Sequence, residues 1–359
     1  MKFNNFLNID ASRSYDAVPG EFSFVATFDA VDPSDFPIKI GDECRILVDD
    51  DPFITGFVFS FGVSHSKNSH EISVNGCSKL ADLVDSTMDA EFNFLLSKDS
   101  ALKDGLQQIV DQANVNATII DDVFFIMTED DTLEAQIGSS VWSLMCQAAV
   151  KYQCLLGETA NGDVFLTRGG GDQINFELIK KIDGTTNNVL SSGIEHNARD
   201  RFHRYAIVSQ FGQADLITAT PPAVGVSKAG ESIDESIRNS RFKCVQAEQS
   251  MDDSLCTTRA EWQSNYARVN AMTYSCAIQG FRTESGLLIE PGYIVYVDDD
   301  YVQLHADMLI KKVSISYSSS SGSTASLTLV SPDAYTLKAN QATAEESGND
   351  FKGIFRDDE

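Results

Sequence analysis

The chain has 359 residues, of which 42% are hydrophobic, and its 53 Asp and Glu against 27 Lys and Arg give a net charge of −26. This length predicts two or more domains, because a single core rarely grows past roughly 250–300 residues. The charge argues against a nucleic-acid-binding protein that grips phosphates over a broad surface, because that affinity depends on clustered Lys and Arg.

The start of the chain, Met1 to Phe6, lacks the apolar core of a signal peptide, and no apolar run approaches the ~18 residues of a membrane span. We therefore expect a soluble chain that is made in a cytoplasm and does not insert into membranes. The cysteines are odd in number and never spaced Cys-x-x-Cys, which indicates neither a disulfide framework nor a zinc site. They are Cys44, Cys77, Cys146, Cys154, Cys244, Cys256 and Cys276.

The first predicted element is an antiparallel β-meander within residues 1–90. Apolar and polar residues alternate along its runs, and Gly, Asp and Ser clusters separate them. Its signals, in order, are Ile38 to Gly41, Val48-Asp49-Asp50-Asp51, Ile54 to Val58, a polar hairpin at Ser64 to Ser69, and Ile72-Ser73-Val74.

Residues 91–192 predict a compact α+β unit. From Ser100 the apolar residues follow one face of a helix that we expect Asp99 or Ser100 to cap, and a second helix is expected at about 139–152. The segment from Leu155 to Leu166 then turns through Asn161-Gly162, the dipeptide that best fits a type I′ hairpin.

Strands resume at Arg204 to Val208, and a third helix is expected from about Ser254, with Trp262 and Tyr266 in its core face. A second meander follows. It repeats the order of the first with Ile289 to Gly292, Val297-Asp298-Asp299-Asp300, Met308 to Val313, the serine run Ser318 to Ser321, and Leu327-Thr328-Leu329. The repeated order predicts a duplicated module inside one chain.

The fold class expected from these elements is mainly β with α+β insertions. It comprises two related antiparallel β-barrel, tube-like domains, a mixed α/β domain and a helical insertion. The expected domains are 1–90, first barrel; 91–192, α+β domain; 193–228 with 272–333, second barrel; 229–271, helical insertion; and 334–359, an acidic tail that stays flexible until a partner orders it.

Motifs for catalysis are missing from the sequence. It has no Gly-x-Ser-x-Gly elbow, His-Glu-x-x-His helix or Gly-x-x-x-x-Gly-Lys-Ser/Thr loop, the spacings that build a nucleophile, a metal pair or a phosphate cradle. His65 and His70 are expected at a surface turn, and His196 and His203 beside a polar segment. The acidic clusters Asp49 to Asp51, Glu129 to Asp131 and Asp298 to Asp300 lack the ligand order of a calcium loop. We therefore predict no enzyme and no catalytic, cofactor or metal residues.

Many weak signals in the second half resemble one known family. They are Arg201-Phe202-His203-Arg204-Tyr205 with Gln210, Arg238, Arg241-Phe242, Ala260-Glu261-Trp262 with Arg268, Gly280-Phe281-Arg282, Gly286-Leu287, Pro291-Gly292, Leu309-Ile310 to Val313, and Leu327 to Tyr335. In the first half, Gly20 to Phe24, Gly56-Phe57-Val58 and Gly76 to Asp85 resemble the same family. The chain is similar to the baseplate hub protein of Mu-like contractile-tailed phages. Late control protein D and the hub part of type VI secretion spikes are wider relatives by fold. At Phe281 and at Leu288 or Ile289 the family often carries Trp.

This resemblance implies a structural protein of the virion tail baseplate, assembled in the cytoplasm of a bacterial host. The implied form is a homotrimer whose two barrels per chain make a ring of six similar units. Its implied partners are the tail tube or adjoining baseplate proteins on one face and the central spike protein on the other. DNA is expected to pass through a channel without specific binding, which a negative charge assists by repulsion.

Two other functions remain open from the sequence. A carbohydrate-binding β protein would need Trp262, Tyr293, Tyr296 and Tyr301 to form an exposed aromatic platform. A tail-associated cell-wall hydrolase would need two carboxylates that converge in a cleft.

Overall fold

The structure, a computed structural model, describes residues 6–27, 38–66, 70–88, 93–121, 125–127, 131–134, 138–152, 154–209, 228–247, 253–320 and 322–334. Its first five strands are β1 (Phe6–Ser14), β2 (Glu21–Thr27), β3 (Glu43–Val48), β4 (Asp51–His65) and β5 (His70–Ser78). They pair antiparallel in the order β1-β2-β5-β4-β3. Alternate residues such as Phe22, Phe24 and Ala26 are buried on one face, as the period of a half-buried strand requires. The first meander is therefore confirmed.

An α+β module follows. Its elements are α1 (Ala81–Asp85), β6 (Asn93–Leu96), α2 (Leu102–Gln112), β7 (Ile119–Asp121), β8 (Asp131–Glu134), α3 (Val141–Lys151), β9 (Leu155–Glu158) and β10 (Val164–Thr167). The strands form a β7-β10-β9 sheet and a β6-β8 pair. The apolar stripes of α2 and α3, including Leu106, Ile109, Leu144 and Met145, pack into one core with this sheet.

Two local predictions in this module are wrong. Helix α2 begins after Ala101 without a side-chain cap, because Asp99 takes a positive φ of 64° and the Ser100 hydroxyl donates to the Ser97 carbonyl. In the β9–β10 hairpin Gly162 has a positive φ of 75° but Asn161 does not, and a type I′ turn needs both. The connection is longer, and Thr159 N closes it by donating to the Asp163 carbonyl at 2.9 Å.

The next segment holds β11 (Asp172–Lys180), β12 (Val189–His196), β13 (Arg204–Ser209), β14 (Lys228–Ile233), β15 (Phe242–Gln246) and α4 (Asp253–Asn270). Strands β14-β13-β15 form a separate small sheet. Helix α4 packs on it so closely that a Cβ at Gly230 would lie 2.0 Å from the backbone N of Thr257. Residue 230 must therefore lack a side chain.

The last strands are β16 (Met272–Gln279), β17 (Tyr293–Asp299), β18 (Leu304–Ser318) and β19 (Gly322–Val330), followed by a 3-10 turn at Pro332–Ala334. With β12 they pair antiparallel in the order β12-β16-β19-β18-β17. This is the order of the first five strands, with β12 in the place of β1. We call β1 to β5 the first unit, and β12 with β16 to β19 the second unit.

The two units share irregularities as well as strand order. Their second-to-last strands carry a bulge between Val58 and Ser60 in β4 and between Ile310 and Lys312 in β18. Their first strands carry one between Phe6 and Asn8 in β1 and between Val189 and Ser191 in β12. A bulge puts an extra residue at one fixed position in a ladder. The shared bulges therefore define which residue of one unit corresponds to which residue of the other. The duplicated module is confirmed.

Strand membership differs from the expected boundaries in two places. Strand β13, expected in the second barrel, pairs with β14 and β15. Strand β11 and the first half of β12 (residues 189–192), expected in the α+β domain, pair with β17 and β16 of the second unit. Residue patterns could not show this, because they reveal a strand but not the strand with which it pairs.

Candidate assembly interface

The two units meet along a strand pair that makes one continuous sheet of eleven strands. Strand β1 pairs antiparallel with the second half of β18, from Asn8 opposite Ser318 to Ser14 opposite Lys312. Ala11 lies opposite Ile315 and both are buried in a core to which both units contribute. This β1–β18 junction shows how one unit binds its neighbour.

Arg13 stabilises the junction from inside. Its side chain is only 5% exposed. Its Nη1 donates to the Phe53 carbonyl at 2.9 Å and to Glu290 at 3.2 Å, and the guanidinium lies 5.4 Å from the Phe53 ring centroid. A buried cation needs such partners. Arg13 therefore ties the first unit to the loop before β17.

Arg282 forms a second link, at the surface. It extends from the second unit to the acidic turn of the first, donating to Asp49 at 3.0 Å, to Asp51 at 2.8 Å and to the Val48 carbonyl at 2.8 Å. The hydrogen bonds to Asp51 and Asp49 raise the pKa of Arg282. The first predicted acidic cluster is thus half of an ion pair between units.

A third link joins the end of β1 to helix α4. The Tyr266 hydroxyl donates to Asp16 at 3.1 Å, while Lys311 Nζ lies 3.1 Å from Asp16 and donates to Asn270 at 2.7 Å. Burial raises the pKa of the Tyr266 hydroxyl. The helical insertion is therefore fixed against both units.

The acidic turn of the second unit binds a cation from β11's end. Lys181 Nζ lies 2.6 Å from Asp298 and 3.3 Å from Asp300, and His305 Nδ1 lies 2.7 Å from Asp298. The hydrogen bond from Lys181 holds the pKa of Asp298 below its usual value. Asp298, Asp300 and His305 are close enough to hold a metal ion, but the ammonium of Lys181 already contacts both carboxylates. The prediction of no metal residues stays a prediction.

The outer half of β4, residues 59–65, has one unpaired edge in the described part of the chain. Strand β3 covers that edge only as far as Phe57, whereas β5 pairs with the other edge up to His65. Large apolar side chains here are exposed: Phe59 by 43%, Phe61 by 38% and Val63 by 49%. We call residues 59–65 the open β4 edge.

Strand β12, at one end of the sheet, has another edge that no described strand pairs with. It pairs with β16 from Val189 to His196, and among the described strands no other ladder involves it. Leu190 is 53% exposed, and a Cβ at Gly193 would have no atom within 4 Å. We call residues 189–196 the open β12 edge. Unpaired edges are templates for pairing with another chain.

Two histidines lie at the surface turn where the sequence predicts them. His65 and His70 face each other beside the β4–β5 turn, with ring centroids 4.2 Å apart. His203 Nδ1 lies near the carbonyls of Asp234 and Ile237, at 3.1 and 3.0 Å.

All seven cysteines are free, and burial raises the pKa of Cys44 to about 11. Residues 128–130, which include Glu129, lie outside the described residues.

The aromatic residues of the carbohydrate hypothesis do not share one face. Trp262 stacks on Tyr266 with ring centroids 5.3 Å apart. Tyr293 and Tyr296 are three residues apart on β17 and so point to opposite faces of the sheet. Tyr301 is exposed in the turn after β17.

Sequence reasoning missed three cations that join distant parts of the chain. Arg13 and Arg282 link the two units, and Lys181 links the end of β11 to the acidic turn of the second unit. Each lies far from its partner in sequence, so residue patterns carry no signal for the pairing. In the sequence, Gly280-Phe281-Arg282 contributes only to the family resemblance.

Among the helices of the described residues, none combines the length and hydropathy needed to span a membrane.

Sequence comparison identifies two families of domains at the ends of the chain. Residues 1–78 match the Mu phage baseplate assembly protein GpP-like N-terminal domain, and residues 253–338 match the fourth domain of Mu phage baseplate assembly protein GpP. The curated proteins include no match to this sequence.

Solved structures of similar fold include two tail proteins and a component of a secretion system. The 43 kDa tail protein of prophage MuSo2 from Shewanella oneidensis is 23% identical with a TM-score of 0.75, covering 92% of this chain and 96% of its own. A tail protein from Neisseria meningitidis MC58 is 19% identical with a TM-score of 0.75, covering 92% and 95%. The Escherichia coli c3393 protein, a component of the type VI secretion system, is 10% identical with a TM-score of 0.54, covering 91% and 73%.

These likenesses agree with the mainly β fold and with the resemblance seen in the sequence. Over 1–78 and 253–338 the chain is similar to the N-terminal and the fourth domains of Mu phage baseplate assembly proteins.

Proposed function

We propose that this protein is the structural hub of a contractile phage or prophage tail baseplate, a homotrimer that joins a six-fold tail tube to a three-fold spike. The observation that carries the proposal is the side-by-side joining of two equivalent units in one sheet. Three copies around an axis contain six equivalent units, so the trimer can present six similar faces to a six-fold tube. The same trimer has only three-fold symmetry as a whole, so it can present three faces to a three-fold spike.

The polar face of the joined sheet supports a channel along that axis. One face packs on the core, so only the other can line an opening. Its described residues are short and polar, such as Ser12, Ser23, Ser275, Ser326 and Thr328, with carboxylates at Asp10, Glu21 and Glu195. Such a wall offers little that would hold a passing DNA duplex.

The partners of this hub follow from its place in the tail. Tail tube or adjoining baseplate proteins contact one side of the ring and the central spike protein the other, and the protein acts as an assembly part rather than as an enzyme. In this proposal, residues 1–90 and the second unit form the ring. Residues 91–192 and 229–271 lie around it, and residues 334–359 form the acidic tail.

The test of this proposal is the mass of the purified protein over a concentration series, with a low-resolution image of its symmetry. We expect three copies, or a multiple of three, around an axial opening. A stable monomer at high micromolar concentration contradicts the hub.

A further inference from the structure

The two units can be superimposed residue by residue through their shared bulges. The bulge at Val58 and Ser60 corresponds to that at Ile310 and Lys312, so Phe61 corresponds to Val313 and Val63 to Ile315. In the partner strand Val74, opposite Phe61, then corresponds to Leu327, opposite Val313. The open β4 edge is thus the equivalent of the part of β18 that binds β1.

The open β12 edge is in the same way the equivalent of β1. Phe22 and Tyr274 hold equivalent positions because they lie opposite Gly76 and Leu329. Ala11 lies opposite Phe22, and Ile194 lies opposite Tyr274. Ile194 therefore corresponds to Ala11, and His196 to Arg13.

The chain thus contains one complete junction and both halves of another. Strand β1 of the first unit fills the edge of β18 in the second unit, whereas, among the described residues, β12 of the second unit and the outer half of β4 of the first unit each keep an unpaired edge. These halves cannot meet within one chain while β1 occupies the edge between the units. They are complementary between copies, which makes the contact head-to-tail.

We propose that the open β12 edge of one copy pairs antiparallel with the open β4 edge of the next copy, in the register of the β1–β18 junction. Ile194 then lies opposite Val63, His196 opposite Phe61, and Gly193 opposite Ser64. This inference rests on the proposed homotrimer, to which it adds the strands and the register of the contact.

The side chains at these edges suit the pairing. Phe61 and Val63 lie on the core face of the sheet, since they pair with Val74 and Ile72, which are fully buried. Ile194 lies on the same face of the second unit, opposite the buried Tyr274. Pairing therefore adds an apolar residue of one copy to an apolar row of the other and covers side chains that are 38% and 49% exposed. On the polar face Glu195 meets Gly62, which has no side chain to clash with it.

Cysteine cross-linking of the full chain tests the register. The variant Ile194→Cys/Val63→Cys places two thiols on one face at opposed positions of neighbouring copies. Mild oxidation should link chains into dimers and trimers on a non-reducing gel. The matched control Ile194→Cys/Ser64→Cys moves the second cysteine by one residue, which puts its thiol on the other face of the sheet. It should give no more cross-linking than Ile194→Cys or Ser64→Cys alone, in which the new thiol can react only with the native cysteines.

A charge on the edge provides a second test that needs no cross-link. Val63→Asp places a carboxylate in the proposed apolar contact and should shift the measured mass from three copies to one. Ile233→Asp, which changes an apolar residue on β14 that is 60% exposed, should keep the mass of the wild type.

The outcomes separate this inference from the proposed function. The edge pairing is overturned, and the hub left standing, by three results together. The mass corresponds to three copies, Ile194→Cys/Val63→Cys cross-links no better than Ile194→Cys/Ser64→Cys, and Val63→Asp has no effect on the mass. A monomeric wild-type protein overturns both.

Discussion

One pair of residues differs between the equivalent units in an informative way. Tyr274 and Asp299 are fully buried in the second unit, and the Tyr274 hydroxyl donates to Asp299 at 2.9 Å. Phe22, also buried, holds the position of Tyr274 in the first unit. A buried carboxylate needs its donors, so the second unit has a hydroxyl that binds Asp299 where the first unit has an apolar ring.

We expect Tyr274→Phe to lower the free energy of unfolding by about 1.5–3 kcal/mol, because it removes a hydrogen bond to a buried carboxylate. Urea unfolding followed by circular dichroism measures this change. Tyr301→Phe, in the exposed turn after β17, should change the free energy by less than about 0.5 kcal/mol. An equal loss in the two variants contradicts the role of the buried pair.

Glu158 predicts a dependence of stability on pH. Its carboxyl is 2% exposed and accepts from the Ser78 hydroxyl at 2.5 Å. Burial raises the pKa of Glu158 above 4.5, while the Ser78 hydrogen bond and the charge of Arg13 oppose this rise. An acid whose pKa is raised by folding contributes stability below its unfolded pKa and loses it as the pH rises through the folded pKa.

The variant Glu158→Gln should therefore gain stability relative to the wild type as the pH rises from 5 to 8. The measurement is the difference in the free energy of unfolding between the two proteins at each pH. Glu177→Gln, on the exposed side of β11, is the matched control. A difference that stays constant over this range contradicts a buried carboxyl with a raised pKa.

At the scale of elements, helix α4 is positioned by backbone contact with a strand. A Cβ at Gly230 would lie 2.0 Å from Thr257 N and 2.3 Å from Cys256 C, so the helix must move away if residue 230 gains a side chain. Such overpacking costs about 1–3 kcal/mol. Helix α4 also contacts Asp16 and Lys311 through Tyr266 and Asn270, and a displaced helix disturbs these contacts too.

We expect Gly230→Ala to destabilise the protein by about 1–3 kcal/mol and to speed proteolysis within β13 to α4. Limited proteolysis with mass spectrometry locates the cleavage. Glu231→Ala, on the exposed neighbouring position of β14, should leave both properties near those of the wild type. Unchanged cleavage in Gly230→Ala contradicts the tight contact.

At the scale of the whole molecule, the charge of −26 per chain is multiplied by three in the proposed hub. Asp10, Glu21 and Glu195 lie on the polar face of the sheet, and Lys312 is a cation of that face. Because contacts between lysine and phosphate give strong and salt-dependent binding, a channel for DNA works best without them.

The wild-type protein should therefore not retain a DNA duplex on a filter at low salt. Asp10→Lys/Glu21→Lys should introduce retention that weakens steeply as salt is added. Glu177→Lys, with a charge change on β11, should retain less than this variant. Tight retention by the wild type contradicts a repelling channel and leaves the fold unaffected.

The sequence determined the local elements and the duplication. Alternating residues and turn clusters showed the meanders, and the stripe through Leu106 and Ile109 showed α2, because these signals depend on residues close together in the chain. Two weak meanders in the same order were enough to predict a repeat and, with the family resemblance, a hub fold.

Only the tertiary structure decided which strands pair and which edges stay open. Several contacts join residues that are far apart in sequence. They are the β1–β18 junction, the ion pairs of Arg282 with Asp49 and Asp51, and the pairing of β13 with β14 and β15. A local pattern of alternating apolar and polar residues does not specify the pairing partner of a strand, because such a strand can pair with several others. The partner is decided by how both units pack around one core, which depends on residues far apart in the sequence.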